Sequence, residues 1–249
     1  MEEIEWYFDW QFWSSIVAFV ALGLSQCPPL RVLLRKGKLT LEKYGMMYVY
    51  HGTGCPQTNF FLIFKNEGGK TINIHSMEMI VNRKDANGFV LKGTGYLVNQ
   101  SDFNFVMLAP FDLASGDVWA HTIHFNEVWD RSTQRKYKYL HAKIRDTITE
   151  KNKNTPPELG KLNTANEEDI KSIEEFCNTQ FKWEDGEYEM QILVKDKNNN
   201  ILVSDSSRFT LFESDTDDLK AWAEDYKYGN SVHLPASPKQ VGVWVNMSE

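Results

Sequence analysis

The residues best placed to do chemistry are His121, His124 and Glu127, spaced as His-x-x-His-x-x-Glu. On a helix, spacings of three would bring all three near one face, where imidazole and carboxylate could share a divalent metal. The surrounding string WAHTIHF argues for a different backbone. It alternates as a strand, with Trp119, His121, Ile123 and Phe125 on one face and Thr122 and His124 on the other. A strand therefore separates His121 from His124, and the expectation is that no metal is bound. Gly52-Thr53-Gly54 and Gly93-Thr94-Gly95 lack the third glycine and following helix of a dinucleotide loop, and lack the Gly-Lys-Ser/Thr of a phosphate loop. Both read as turns or bulges. There is no Gly-x-Ser-x-Gly elbow. The three cysteines, Cys27, Cys55 and Cys177, are far apart and form no Cys-x-x-Cys, so free thiols in a reducing compartment are expected. No catalytic residue and no cofactor is assigned, and the chain reads as a non-enzyme.

What remains is charge. Residues 131–151 hold Arg131, Arg135, Lys136, Lys138, Lys143, Arg145 and Lys151 against Asp146 and Glu150, a local net charge of +5 in a chain of -7. The overall negative charge argues against general nucleic-acid binding, which needs a basic surface to neutralise phosphates. The local patch suits an anionic lipid or an acidic partner, or is simply the solvated face of a helix. A third possibility is internal: residues 213–225 carry six carboxylates against Lys220, a net -5, and the two segments could face each other within one molecule or between copies.

The elements that carry these residues follow from periodicity. Between Trp10 and Leu30 there are 21 positions without a charge. A spanning helix needs about 20 mostly apolar residues. The seven apolar side chains Phe12, Ile16, Val17, Phe19, Val20, Leu22 and Leu24 give about -2 to -4 kcal/mol of insertion free energy. Trp6, Trp10 and Trp13 recur at i, i+4 and i+7 and suit the headgroup level. The acidic start, Glu2, Glu3, Glu5 and Asp9, is wrong for a cleaved export signal. Gln26 before Cys27 and Pro28 after it argue against a lipidated cysteine, and a buried helix would usually be shorter and carry a polar stripe.

The expectation is a transmembrane helix over 10–28, anchored by Trp10, Trp13, Ile16, Val17, Phe19, Val20, Leu22 and Leu24. A short N-terminus, 1–9, would lie outside the cell membrane. Residues 29–38 would form a basic juxtamembrane segment whose Arg31, Arg35, Lys36 and Lys38 hold the remainder on the cytoplasmic side.

From Leu39 the pattern becomes strand-like. About six short runs rich in aromatic and β-branched residues are separated by turns such as Asn66–Lys70 and Asp85–Gly88. Helical periodicity follows, with Tyr137, Leu140, Ile144 and Ile148 on one face, and again with Ile170, Ile173, Cys177 and Phe181. Two strands, GEYEMQILVKD and ILVSDSSRFTLFES, then return, followed by a short acidic helix. The strand–turn–strand pattern resembles a generic immunoglobulin-like antiparallel β-sandwich, on architecture alone and without a family motif.

The expected fold is thus mainly β with α: a β-sandwich over 39–228, with a helical insertion at about 130–182 and a tail at 229–249, in which only GVWVNM suits a strand. The function that follows is a single-pass membrane-anchored interaction or scaffold protein, whose partner is another protein or a second copy. The alternatives are an oligomeric effector that perturbs the bilayer on sensing a ligand, and a metal-dependent hydrolase using His121 or His124.

Overall fold

The computed structural model describes residues 10–26, 36–84, 86–102, 104–158 and 162–248. Its centre is one antiparallel sheet. The strands in chain order are β1 Leu39–Lys43, β2 Met46–Gly52, β3 Cys55–Asn66, β4 Ile72–Ile74, β5 Ser76–Arg83, β6 Phe89–Tyr96, β7 Val106–Met107, β8 Phe111–Leu113 and β9 Val118–Asn126. After the helical insertion come β10 Gly186–Lys195, β11 Ile201–Leu211 and β12 Val243–Asn246. The path runs β11-β10-β5-β6-β9-β3-β2-β12, with β1 also paired to β3 and β7 to β6, while β4 and β8 form a separate two-stranded piece.

The two ends of this path meet. Arg208 on β11 and Ser248, just past β12, exchange two backbone hydrogen bonds of 2.8 Å each. The Nζ of Lys43 on β1 forms an ion pair with Asp205 on β11 and donates to the Ser206 carbonyl at 3.0 Å. The sheet is nearly a closed barrel. This replaces the two-sheet immunoglobulin-like sandwich expected from the sequence. Local strand patterns are the same in both architectures, and the difference lies in long-range pairing, β5 with β10 and β6 with β9. Those pairings let the sheet curl, helped by a register shift between Gly93 and Gly95 that bends β6.

Period-two alternation fills the barrel. Met47 and Val49, Phe60, Leu62 and Phe64, Met77, Met79 and Val81, Ile123 and Phe125, Tyr188, Met190 and Ile192, and Phe209 and Leu211 all point inward and are buried. Within 229–249, read from sequence as a tail, β12 contributes Val243 and Val245 to this core.

The insertion forms two helices, α2 Arg131–Asn154 and α3 Glu167–Gln180. Asp130 caps α2: its carboxylate accepts from the Ser132 hydroxyl at 2.6 Å and from the Thr133 and Ser132 amides at 2.9 and 2.7 Å, and these bonds, the Ser132 hydroxyl first, hold it down at about 2. Pro156 follows the end of α2 at Thr155. Leu140, Ile144 and Ile148 pack on Ile173 and Cys177, as their spacing predicts, and also on Phe176; Phe181, expected on the same face, lies just past the end of α3 and packs against the barrel core instead. Tyr226 and Val232 complete this second core; Tyr226 belongs to the 3-10 helix Ala221–Tyr228, which continues α4 Glu213–Lys220.

This cap sits at one pole of the barrel, where β2 turns into β3. The turn has left-handed φ at Thr53 (52°) and Gly54 (89°). A Cβ at Gly54 would lie 2.5 Å from the Cys177 carbonyl oxygen. The opposite pole holds the N-terminal connection: Leu39 pairs with Asn66, and the Glu67 amide donates to the Lys38 carbonyl at 2.9 Å.

The helix α1 Trp10–Gln26 has 17 residues. That is about 26 Å at 1.5 Å per residue, against about 30 Å of bilayer hydrocarbon. No helix among the described residues is long and apolar enough to cross a membrane. The transmembrane span expected over 10–28 is therefore not supported at that length; its Cys27 and Pro28, with segments 1–9 and 29–35, lie outside the described residues. Every side chain from Trp10 to Ser25 is exposed.

Gly54→Ala should destabilise the fold by about 2 kcal/mol or more, combining a left-handed backbone with a clash against Cys177. Urea unfolding measures it. Gly116→Ala, with φ 84° but open space around it, should cost less and isolates the clash.

Candidate functional site

His121 and His124 diverge, as strand alternation requires. The His121 ring nitrogen Nδ1 lies 2.9 Å from the Leu97 carbonyl, and its ring is held between Trp119 and Tyr96. His124 instead meets the Tyr50 hydroxyl at 3.0 Å and the Asn59 amide oxygen at 3.1 Å, with Phe105 against its ring. Burial pushes His124 down to about 4, so it is neutral near pH 7. Among the described residues no three metal-ligating side chains converge. Glu127 is committed elsewhere, in an ion pair with Lys182.

Residue spacing does not single out His51. It is almost fully buried at the end of β2, under Trp222 (ring centroids 4.6 Å) and Phe181 (5.4 Å). The Gly54 amide donates to its Nδ1 at 3.0 Å, which fixes the ring proton on Nε2, and Nε2–H donates to the Leu219 carbonyl at 2.9 Å. One neutral imidazole thus ties the β2–β3 turn to α4. Desolvation lowers it to about 4 despite the carbonyl contact. The spacing of hydrophobic residues cannot announce such a joint, because its partners lie 168 positions apart in sequence.

The buried thiols are inert. Cys55 Sγ donates to the Glu127 carbonyl at 3.5 Å, and burial pushes it up to about 12. Cys177 lies 3.2 Å from the Tyr226 hydroxyl and is pushed up to about 11, again by burial. Both are free, as the sequence suggests. The cleft of about 670 Å³ across β5, β10 and β11 is lined by charges that are already engaged: Lys84 pairs with Glu187 at 3.3 Å, Arg208 with Glu189 at 3.0 Å, and Arg83 donates to the Asp185 carbonyl at 3.3 Å. It offers no convergent set of groups for a reaction.

The cations of α2 are less uniform than their sequence suggests. Lys143 pairs with Asp169 at 3.5 Å and lies over Tyr139, Arg145 pairs with Asp146 at 2.8 Å, and Lys136 lies over the Phe176 ring. Lys151 donates to the Thr164 carbonyl. Arg131, Arg135 and Lys138 are exposed and form no ion pair among the described residues. The acidic segment 213–225 does not answer them: no ion pair joins it to α2, and its Lys220 pairs with Glu184 at 2.7 Å. Of the cations expected to follow a membrane span, Lys38 pairs with Glu67 at 2.7 Å, Lys36 is exposed, and Arg31 and Arg35 lie outside the described residues. Trp10, Trp13, Ile16, Val17, Phe19, Val20, Leu22 and Leu24, expected from the sequence to form an anchor, all lie on α1 and are exposed.

No protein-family model, curated protein or solved structure matches this chain. The site therefore rests on its own geometry: an exposed apolar helix at one end of the sequence, and a bare basic stripe on the cap.

Two outcomes follow. Burial lowers the folded His51 from the usual 6.5 to about 4, so between these two pH values the unfolded chain binds more protons than the fold. Stability should fall as pH drops from about 6.5 to about 4, by up to about 3 kcal/mol from this group. Urea titrations across that range should show a shallower slope for His51→Gln, each variant being referred to itself at neutral pH. In a Cys27→Ser background, an aromatic disulfide reagent at pH 8 should react with Cys55 and Cys177 only at the rate of unfolding.

Proposed function

We propose that this chain is a membrane-anchored, non-enzymatic interaction protein, in which α1 enters the bilayer and the capped barrel presents a binding surface on the cytoplasmic side. The observation that carries this reading is the exposure of α1 on every side. Phe12, Trp13, Ile16, Val17, Phe19, Val20, Leu22 and Leu24 cover roughly two thirds of the circumference at 3.6 residues per turn, with the small side chains of Ala18, Ala21, Ser14 and Ser25 on the rest, and each of the eight is exposed. A helix apolar all round belongs in a protein core or in lipid, because leaving those side chains in water forfeits about 1.5–3 kcal/mol for each large one. Ser14 and Ser15 return their hydroxyl protons to the Gln11 carbonyl at 2.9 Å, and Ser25 to that of Leu22 at 2.7 Å, so the helix hides its own polar side chains. A helix of about 26 Å is accommodated by local thinning of the bilayer, at a fraction of a kcal/mol per Å. Arg31, Arg35, Lys36 and Lys38 follow α1 with no cation before it, which by the positive-inside rule favours a cytoplasmic barrel in the cell membrane.

A hydrolase reading finds little support, since His121 and His124 point apart and Glu127 is paired.

Flotation with phosphatidylcholine vesicles tests the anchor. The full chain should float and resist extraction by alkaline carbonate. Phe19→Arg with Val20→Arg, each costing about 3 kcal/mol at a helix centre, should leave it in the soluble fraction with an intact barrel by circular dichroism. A full chain that stays wholly soluble refutes the anchor.

A further inference from the structure

Arg131, Arg135 and Lys138 recur at i, i+4 and i+7 on α2, and Arg145 continues the same line. The stripe lies away from Leu140, Ile144 and Ile148, the buried face of the helix. Its position in the molecule discriminates between occupants. α2 leaves the barrel where Asn126 of β9 pairs with Gln57 of β3, at the pole where Gly54 meets Cys177. The chain from α1 joins at the other pole, where Leu39 pairs with Asn66. β3, 12 residues and about 36 Å along the strand, runs from one pole to the other. The chain from α1 thus reaches the barrel at the end away from the stripe.

The capped pole also carries the opposite charge. α4 begins where β11 ends, and its Leu219 is bound to His51. Glu213, Asp217, Asp218 and Glu224 are exposed there and form no ion pair among the described residues. Three other cations of the cap are paired within the molecule, Lys143 with Asp169, Lys182 with Glu127, and Lys220 with Glu184, while Glu167, Glu168 and Glu175 of α3 add further exposed carboxylates to this pole. Two surfaces of opposite sign therefore remain on one pole, unpaired with each other.

We propose that the capped pole is a homodimer interface, in which the Arg131–Arg135–Lys138 stripe of one copy receives Glu213, Asp217, Asp218 and Glu224 of a second copy, and the reverse. A two-fold arrangement makes both contacts at once, because the same basic–acidic contact is then repeated by symmetry. Charge complementarity of this kind sets partner and register, and makes association sensitive to salt. The assignment of the stripe to a partner rather than to lipid rests on the anchor reading above; the charge complementarity does not.

The test uses the full chain in a neutral detergent, followed by sedimentation. The expected result is a dimer at about 50 mM NaCl whose dissociation constant rises about tenfold or more by about 500 mM. The variant Arg131→Glu/Arg135→Glu/Lys138→Glu should be monomeric, and so should Glu213→Lys/Asp217→Lys/Glu224→Lys. Mixing the two should restore a dimer, since each then carries what the other lost. Circular dichroism confirms that both fold, and charge-neutral Gln replacements at the same exposed positions serve if either does not. A wild-type chain that is monomeric at low salt, or a mixture of folded variants that fails to associate, overturns the proposal. So does a stripe variant that dimerises normally but loses binding to phosphatidylserine vesicles, which would make lipid the occupant. Flotation on uncharged vesicles reports on the anchor separately and should be unchanged by either set of substitutions.

Discussion

A β-sheet that buries one face still has two edges, each a row of unpaired amides and carbonyls. In this protein those edges are brought to one another. The Arg208–Ser248 exchange closes the wall on one side of the seam, and Lys43 closes the other with its side chain, where β1 and β11 come close without a ladder. Everything else depends on that closure. It gives the barrel an inside, fixes which face of every strand is buried, and creates two poles that can be used differently. One pole receives the chain from α1. The other receives a second hydrophobic core of helices.

The joint between the two cores is small. It consists of a two-residue turn with positive φ, a buried imidazole that accepts from that turn and donates to α4, and the tilted indole and edge-on phenyl rings packed against it. Trp183 adds a bond from its indole Nε1 to the Tyr50 carbonyl, at 2.9 Å. Tyr137 reaches from α2 to the Val232 carbonyl at 3.1 Å, tying the cap to the segment before β12. Barrel and cap are thereby held in one orientation by directional bonds rather than by apolar contact alone.

Local order was legible in the sequence. The face formed by Leu140, Ile144 and Ile148, the strand around His121 and His124, and the pairing ability of GVWVNM all follow from periodicities of 3.6 and 2. What periodicity does not encode is which strands become neighbours. A sandwich and a barrel have the same alternation, and only contacts between remote segments, such as Met190 opposite Val81, distinguish them. The joint at His51 was hidden for the same reason. The charge on α2 was visible as a sum, but the sum overstated it: Lys136, Lys143 and Arg145 each have a partner, leaving a narrower bare stripe. The span over 10–28 was read from a run without charge, and such a run does not reveal where a helix stops.

The strand β12 has only four residues, yet it joins β2 across nearly the whole sequence; the Gly242 amide donates to the Tyr48 hydroxyl, 194 positions away, at 2.6 Å. Contacts of that sequence separation are formed late and slowly. Until they form, β2 and β11 present open edges to every neighbouring chain. The step that completes the barrel is therefore also the step at which newly made chains compete with one another for the same edges.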